Sequence, residues 1–176
     1  GRTREYVDVV RMAVRRETVR HHGTHLRLPL PDGPGKAMRL TLRPVRPEIP
    51  LYLAAVGPKN LELAGQVADG WLGIFFSPEQ AALSLDPVRA GRLASGRAPG
   101  PDPLAGFDVA VTVPVVVGDD VEAAADLLRD YYALYIGGMG SKERNFYHRL
   151  AGRMGYQAEA DAVQDLYLDR RHREAA

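Results

Sequence analysis

Cysteine is absent from the 176 residues, which excludes disulfides, thiolate nucleophiles and thiolate metal sites together. An excess of charge of one sign is absent too. Lys and Arg number 23 against 22 Asp and Glu, with no long single-sign block, so nucleic acid and an anionic membrane are not expected as partners. Long apolar runs are missing: the longest, residues 109–117, is interrupted by Thr112 and Pro114 and is far too short to cross a bilayer. The opening residues GRTREYV lack the basic-then-apolar order of a secretion signal. These absences lead us to expect a cytoplasmic protein. What remains is an average globular composition, 45% apolar and 26% charged, in a chain long enough to bury a core.

The order of elements is more informative. Tyr6, Val9, Val10, Ala13 and Val14 recur at helical spacing with arginines opposite, which predicts an amphipathic helix over residues 3–17. Residues 21–50 contain six prolines, and only the short alternating pieces 25–28 and 38–42 read as strands. Three strand–helix units follow. IPLYLAAVG (49–57) leads into a helix at Pro58, and GWLGIFF (70–76) leads into SPEQAALSLDPVRAGRLA. In that second helix Ser77 is placed to cap, Pro78 suits the first helical position and Gln80 completes a capping box. FDVAVTVPVVVG (107–118) leads into a helix with a capping box at Asp119 and Glu122 and an apolar stripe of Val121, Ala125, Leu128 and Tyr132. Two further helices are expected near 142–154 and 158–171.

Near-continuous apolar strands alternating with helices predict an α/β fold with a parallel sheet and helical crossovers. Three parallel strands cannot close a barrel, and a complete (β/α)₈ barrel takes roughly 250 residues. Residues 1–176 are therefore expected to be a single fragment of a larger domain.

The sharpest candidate site is the turn in YLAAVGPKN. A helix N-terminus leaves backbone N–H groups unpaired and carries about half a positive charge, a combination that binds phosphate. Here the donors are the amides of Gly57, Lys59 and Asn60; Gly57 permits close approach, and Pro58 presets the helical angle. The turn follows the carboxyl end of a strand, where sites form in parallel α/β proteins. From spacing alone, a plain strand-to-helix turn remains the better reading, since the residues match neither the dinucleotide fingerprint nor the P-loop.

Other features favour structure over chemistry. His21, His22 and His25 surround a glycine with no carboxylate nearby in sequence, so an exposed turn is expected and no metal. Asp69–Gly70 reads as a tight turn at the amino end of a strand, with Asp69 bonding locally to backbone and Trp71 in the core. IGGMGSKERNFY reads as a loop with Ser141 capping the next helix; if it overhangs the strand ends, Tyr135, Met139, Asn145 and Tyr147 would border the substrate space. Phe75, Phe76 and Ser77 end the second strand on the same rim as Gly57, and His148 is expected to be an exposed helix residue.

The segments IPLYLAAVGPKNLELAGQVADGWLGIFFSPE, ALYIGGMGSKERNFYHRLAGRMGY and EYVDVVRMAVRRE resemble the luciferase-like superfamily, whose members bind FMN or the deazaflavin coenzyme F420, and within it a subgroup of F420-dependent oxidoreductases. The resemblance implies a partial (β/α)₈ TIM barrel, about strands 5–7 with flanking helices, without the amino-terminal half and the last βα unit. It implies hydride transfer between coenzyme F420 and an organic small molecule; a homo-oligomer is expected separately, because unpaired sheet edges template association. The alternatives are an FMN-dependent monooxygenase and a non-catalytic half-barrel that self-associates through its sheet edges. It also implies cofactor binding at Ala54, Ala55, Val56, Gly57 and Pro58, with Lys59 and Asn60 beside them. It names no catalytic residue, because those would lie in the half of the barrel outside this chain, and the fragment alone is expected to be inactive.

Overall fold

Helix α1 (Arg2–Val14) opens the computed structural model, which describes residues 1–46 and 48–176. It buries Val7 and half-buries Val9, Val10, Ala13 and Val14, while Tyr6, expected on the packed face, points to solvent. Residues 21–28 form a hairpin of β1 (His21–His22) and antiparallel β2 (Arg27–Leu28). The Glu5 carboxylate accepts the backbone N–H groups of Thr24, His25 and Leu26 at 3.1, 2.9 and 2.8 Å, so one acid on α1 fixes the hairpin tip. Residues 38–42 do not form a strand; among the described residues their backbone is held by a bond from the Val19 N–H to the Met38 carbonyl and one from the Arg16 side chain to the Leu40 carbonyl.

Strands β3 (Tyr52–Ala54), β4 (Gly70–Ile74) and β5 (Asp108–Thr112) form one parallel sheet in that order. Helix α2 (Pro58–Val67) connects β3 to β4; a 3-10 turn (Pro78–Gln80) and α3 (Ala82–Ala94) connect β4 to β5. The strands are shorter than their apolar runs because pairing ends where the neighbour ends. Pro114 has no N–H to donate, and beyond it Val115 and Val117 lie 76% and 95% exposed. Leu53, Trp71, Val109 and Val111 face the helices and pack with Leu61, Ala64, Ala68 and Val88 into the core. Helices α2 and α3 cross at backbone contact. A Cβ on Gly65 would stand 2.2 Å from the Val88 carbonyl oxygen, and one on Gly91 would stand 2.0 Å from that of Glu62. On the opposite face, Tyr52 lies across Gly70 and donates its hydroxyl to Asp108 at 2.5 Å. Gly70 is therefore a strand residue that admits a ring, where the sequence suggests a turn.

Helix α4 (Val121–Ala133) runs into a π-helical turn (Leu134–Gly138), followed by α5 (Phe146–Arg153), α6 (Gln157–Leu168) and the short α7 (His172–Ala175). Three caps differ from expectation. Asp120, not Asp119, caps α4 by accepting from Glu122 and Ala123, which leaves Val121 83% exposed. Ser77 donates to Glu79 instead of capping, and Gln80 reaches the Met154 carbonyl. Asn145, not Ser141, caps α5 through Tyr147 and His148.

Candidate functional site

At the carboxyl end of β3 the chain turns through Gly57 directly into α2. Gly57 is the N-cap, in an extended conformation with φ −84° and ψ 150°, and Pro58 occupies the first turn. The carbonyl of Gly57 accepts the N–H groups of both Asn60 and Leu61 at 3.0 Å. The Asn60 amide is therefore turned into the helix, and this corrects its expected place among the open donors. The N–H groups of Gly57 and Lys59 have no partner among the described residues. A Cβ on Gly57 would meet nothing within 4 Å, so the glycine faces open space. Ala55 is buried, Val56 and Gly57 are half-buried, and Ala54, Pro58, Lys59 and Asn60 are exposed.

Two side chains hold this turn from outside it. The Trp71 indole donates to the Ala55 carbonyl at 2.9 Å from a fully buried position, fixing the strand end against the core. Arg153, the last residue of α5, reaches the Val56 carbonyl at 3.3 Å. No carboxylate pairs with Arg153 among the described residues; burial first, and then neighbouring Arg149, push its guanidinium below the usual arginine value. Sequence reasoning missed Arg153 because 97 residues separate it from its partner.

The same rim carries an aromatic cluster. Phe75 follows β4 with φ 54°, a left-handed conformation that bulky residues avoid. Its ring is held by Tyr131, Tyr132, Tyr135 and Tyr147 at centroid distances of 5.3–5.7 Å. Burial first, and then its tyrosine neighbours, push the Tyr131 hydroxyl above the usual phenol value. Phe76 turns the other way, edge-on to Trp71 at 6.2 Å. Phe75, Phe76 and Ser77 line a cavity of about 360 Å³ roofed by α5 and α6.

Of the expected substrate-lining residues, Tyr147 borders this cavity; Tyr135 stands behind it in the cluster, and Met139 is exposed. Asn145 is buried and structural. Its amide donates to the Tyr135 and Ile136 carbonyls at 2.9 and 2.7 Å while its oxygen caps α5, so one side chain ties the π turn to the next helix. His148 is only 11% exposed and contacts Asp161 at 2.9 Å, bridging α5 to α6. His21 lies 3.6 Å from Glu5.

At the opposite end of the sheet, Asp69 does more than bond locally. Its carboxylate takes the Leu51 N–H at 2.9 Å, Arg11 at 2.9 Å and Arg97 at 2.7 Å. Burial alone would raise its carboxyl, but the Leu51 N–H and the Arg11 and Arg97 guanidinium groups outweigh it and hold the group below the usual carboxylate range. A cavity of about 370 Å³ there is lined by Arg11, Arg15, Glu48, Asp69 and Arg97, whose charges are paired with one another.

Comparison with known proteins agrees with this architecture. The luciferase-like monooxygenase family model matches residues 1–176. A protein of Mycobacterium tuberculosis, named as a proposed coenzyme F420-dependent oxidoreductase, is 41% identical across 100% of this chain and 51% of its own length. A 5,10-methylenetetrahydromethanopterin reductase of Methanolobus tindarius is 40% identical over 52 residues, 30% of this chain and 16% of its own. Among solved structures, a coenzyme F420-dependent tetrahydromethanopterin reductase from Methanopyrus kandleri superposes with a TM-score of 0.64 at 20% identity, over 92% of this chain and 46% of that one. The chain thus spans about half the length of the relatives that it matches throughout.

Proposed function

The chain belongs to the luciferase-like monooxygenase family, and from that premise we propose that it is part of an oxidoreductase transferring hydride between coenzyme F420 and an organic substrate, with the Gly57 turn holding the coenzyme's phosphate. In the same reading, β3, β4 and β5 are consecutive strands of a (β/α)₈ barrel, about the fifth to seventh, and the exposed face with Tyr52 and Leu72 is barrel interior. Residues 1–176 then form one portion of a single domain, and catalytic groups are supplied by the portion outside it.

The observation that carries the proposal is the donor set at Gly57. Two N–H groups at a helix N-terminus without partners among the described residues, the adjacent Lys59, and Arg153, which has no carboxylate partner there, all lie where the strand ends. This chemistry suits a phosphate monoester or diester. Gly57 and Lys59 would hold it through backbone amides, with the Lys59 ammonium and Arg153 adding charge. When bound, coenzyme F420 supplies a two-electron hydride donor or acceptor. The chain's own contribution is to orient the cofactor's tail, through a turn that Trp71 keeps rigid, and to exclude water along the aromatic rim.

The test is equilibrium binding of F420 and of FMN to the full-length protein and to Gly57→Val. The conformation at Gly57 is open to any residue and a Cβ meets no protein atom, so the variant keeps its fold while its side chain occupies the phosphate's place. We expect F420 affinity to fall at least about tenfold, roughly 1.4 kcal/mol, with the melting temperature unchanged. Unaltered F420 binding by Gly57→Val would remove the phosphate assignment. Tight FMN with no F420 would transfer the reading to a flavin enzyme, and binding of neither would end it.

A further inference from the structure

The cavity beneath α5 and α6 has a composition that the phosphate turn does not explain. Apart from Ser77 and one acid, its walls are aromatic or aliphatic, including Phe75, Phe76, Tyr132, Tyr147 and Tyr156, with the polarisable thioether of Met154 among them. Only one lining residue carries a charge, Glu159 in the first turn of α6. Glu159 makes no ion pair and no side-chain hydrogen bond among the described residues, whereas the other acids on this layer, Asp161 and Asp165, are both engaged. A volume of about 360 Å³ is that of a small-molecule site.

The strained backbone at Phe75 belongs to the same wall. Left-handed geometry at a phenylalanine costs about 1–3 kcal/mol and persists only where the surroundings impose it. Here four tyrosine rings pack around it, and two of them, Tyr132 and Tyr147, also line the cavity, so this wall is held by its own packing. Ring faces are electron-rich, and an aromatic-lined cavity with an exposed carboxylate, Glu159, at its mouth attracts organic cations over neutral or anionic molecules.

We propose that this cavity binds a small molecule with an apolar, ring-sized body and one cationic amine or quaternary ammonium group, the cation directed to Glu159. The proposal goes beyond the hydride-transfer reading and does not depend on which cofactor the protein uses. Its test omits F420 and FMN, so failure of either idea is separable from failure of the other.

Isothermal titration of the full-length protein with benzyltrimethylammonium, its uncharged carbon isostere and benzoate gives three affinities. The cation should bind about tenfold more tightly than the neutral isostere, and benzoate should bind more weakly than either. Glu159→Gln should remove about fivefold of the cation's advantage and leave the neutral probe unchanged. Ala151→Trp, which fills the cavity from α5, should abolish binding of both, with circular dichroism confirming that the fold is kept. For a misfolded Ala151→Trp, chemical-shift changes at Phe76 and Tyr147 on titrating the parent protein serve in its place, and they should accompany cation binding. Equal affinity for cation and neutral probe, a Glu159→Gln variant that binds the cation unchanged, binding without shifts at those residues, or no binding of any probe would each overturn the proposal.

Discussion

At the amino ends of the strands, Asp69 gathers two arginines and a backbone N–H, so its carboxylate is engaged on both oxygens, while Arg97 Nε alone in that set is left without a partner among the described residues. At the carboxyl ends, the Gly57 and Lys59 amides are unpaired among the described residues, and Arg153 meets only a carbonyl there. Both ends use arginine, and both border a cavity of similar size. The difference lies in satisfaction. A closed network binds the chain to itself and contributes to stability, whereas an open one leaves donors free for something else. The division matches the two faces of a strand–helix array, where substitutions at the amino end alter stability and those at the carboxyl end alter ligands.

Several substitutions test whether the two ends are as separable as this. Trp71→Ala should have the largest effect, about 3–5 kcal/mol of lost stability, because it empties the core between the ends and frees the Ala55 carbonyl together. Chemical denaturation of Trp71→Phe beside it isolates the hydrogen bond, with an expected loss of about 1–3 kcal/mol. Asp69→Asn comes next. The network is about a third exposed, so solvent screening limits the loss to about 1–2 kcal/mol near neutral pH, and binding at the far rim should not change.

That loss should depend on pH with a definite sign. The folded Asp69 carboxyl lies below its unfolded value, so its contribution is complete above the ordinary carboxylate pKa, about 4, and disappears as pH falls through the folded value. Wild type and Asp69→Asn should therefore converge in stability under acid; a gap that stays constant to the lowest pH at which both fold would break the assignment. The smallest effect is expected at Arg153→Gln. Its stability should stay within about 0.5 kcal/mol, and its phosphate-dependent affinity should fall about threefold, more at low salt than at high. If Arg153→Gln instead unfolds the protein, the open end is structural after all and the comparison fails.

The reading from sequence succeeded where the signal is local. Apolar runs located β3, β4 and β5, and Gly57–Pro58 marked the start of α2, since proline geometry and the 3.6-residue period act over a few residues. It failed where two local solutions compete. Asp119 and Asp120 are both good caps by residue type, and it is Asp120 that caps α4. Ser141 looked like a cap, yet the buried Asn145 does that work and also holds the π turn, a geometry that no residue pattern announces. Arg92 is the same kind of case. A buried arginine reads as surface charge in sequence, but it donates to the carbonyls of Pro103, Arg97 and Ala105 and so organises the loop before β5.

The sequence by itself determined the alternation of strand and helix, the parallel sheet this requires and the glycine turn at the strand end, because short-range sterics and hydrophobic periodicity are written in adjacent residues. Only the tertiary structure decided which groups were left without partners. Whether Asp69 is closed by Arg11 and Arg97, or Gly57 stays open beside Arg153, depends on residues 28 to 97 positions apart, and such distances are set by packing rather than by any local preference.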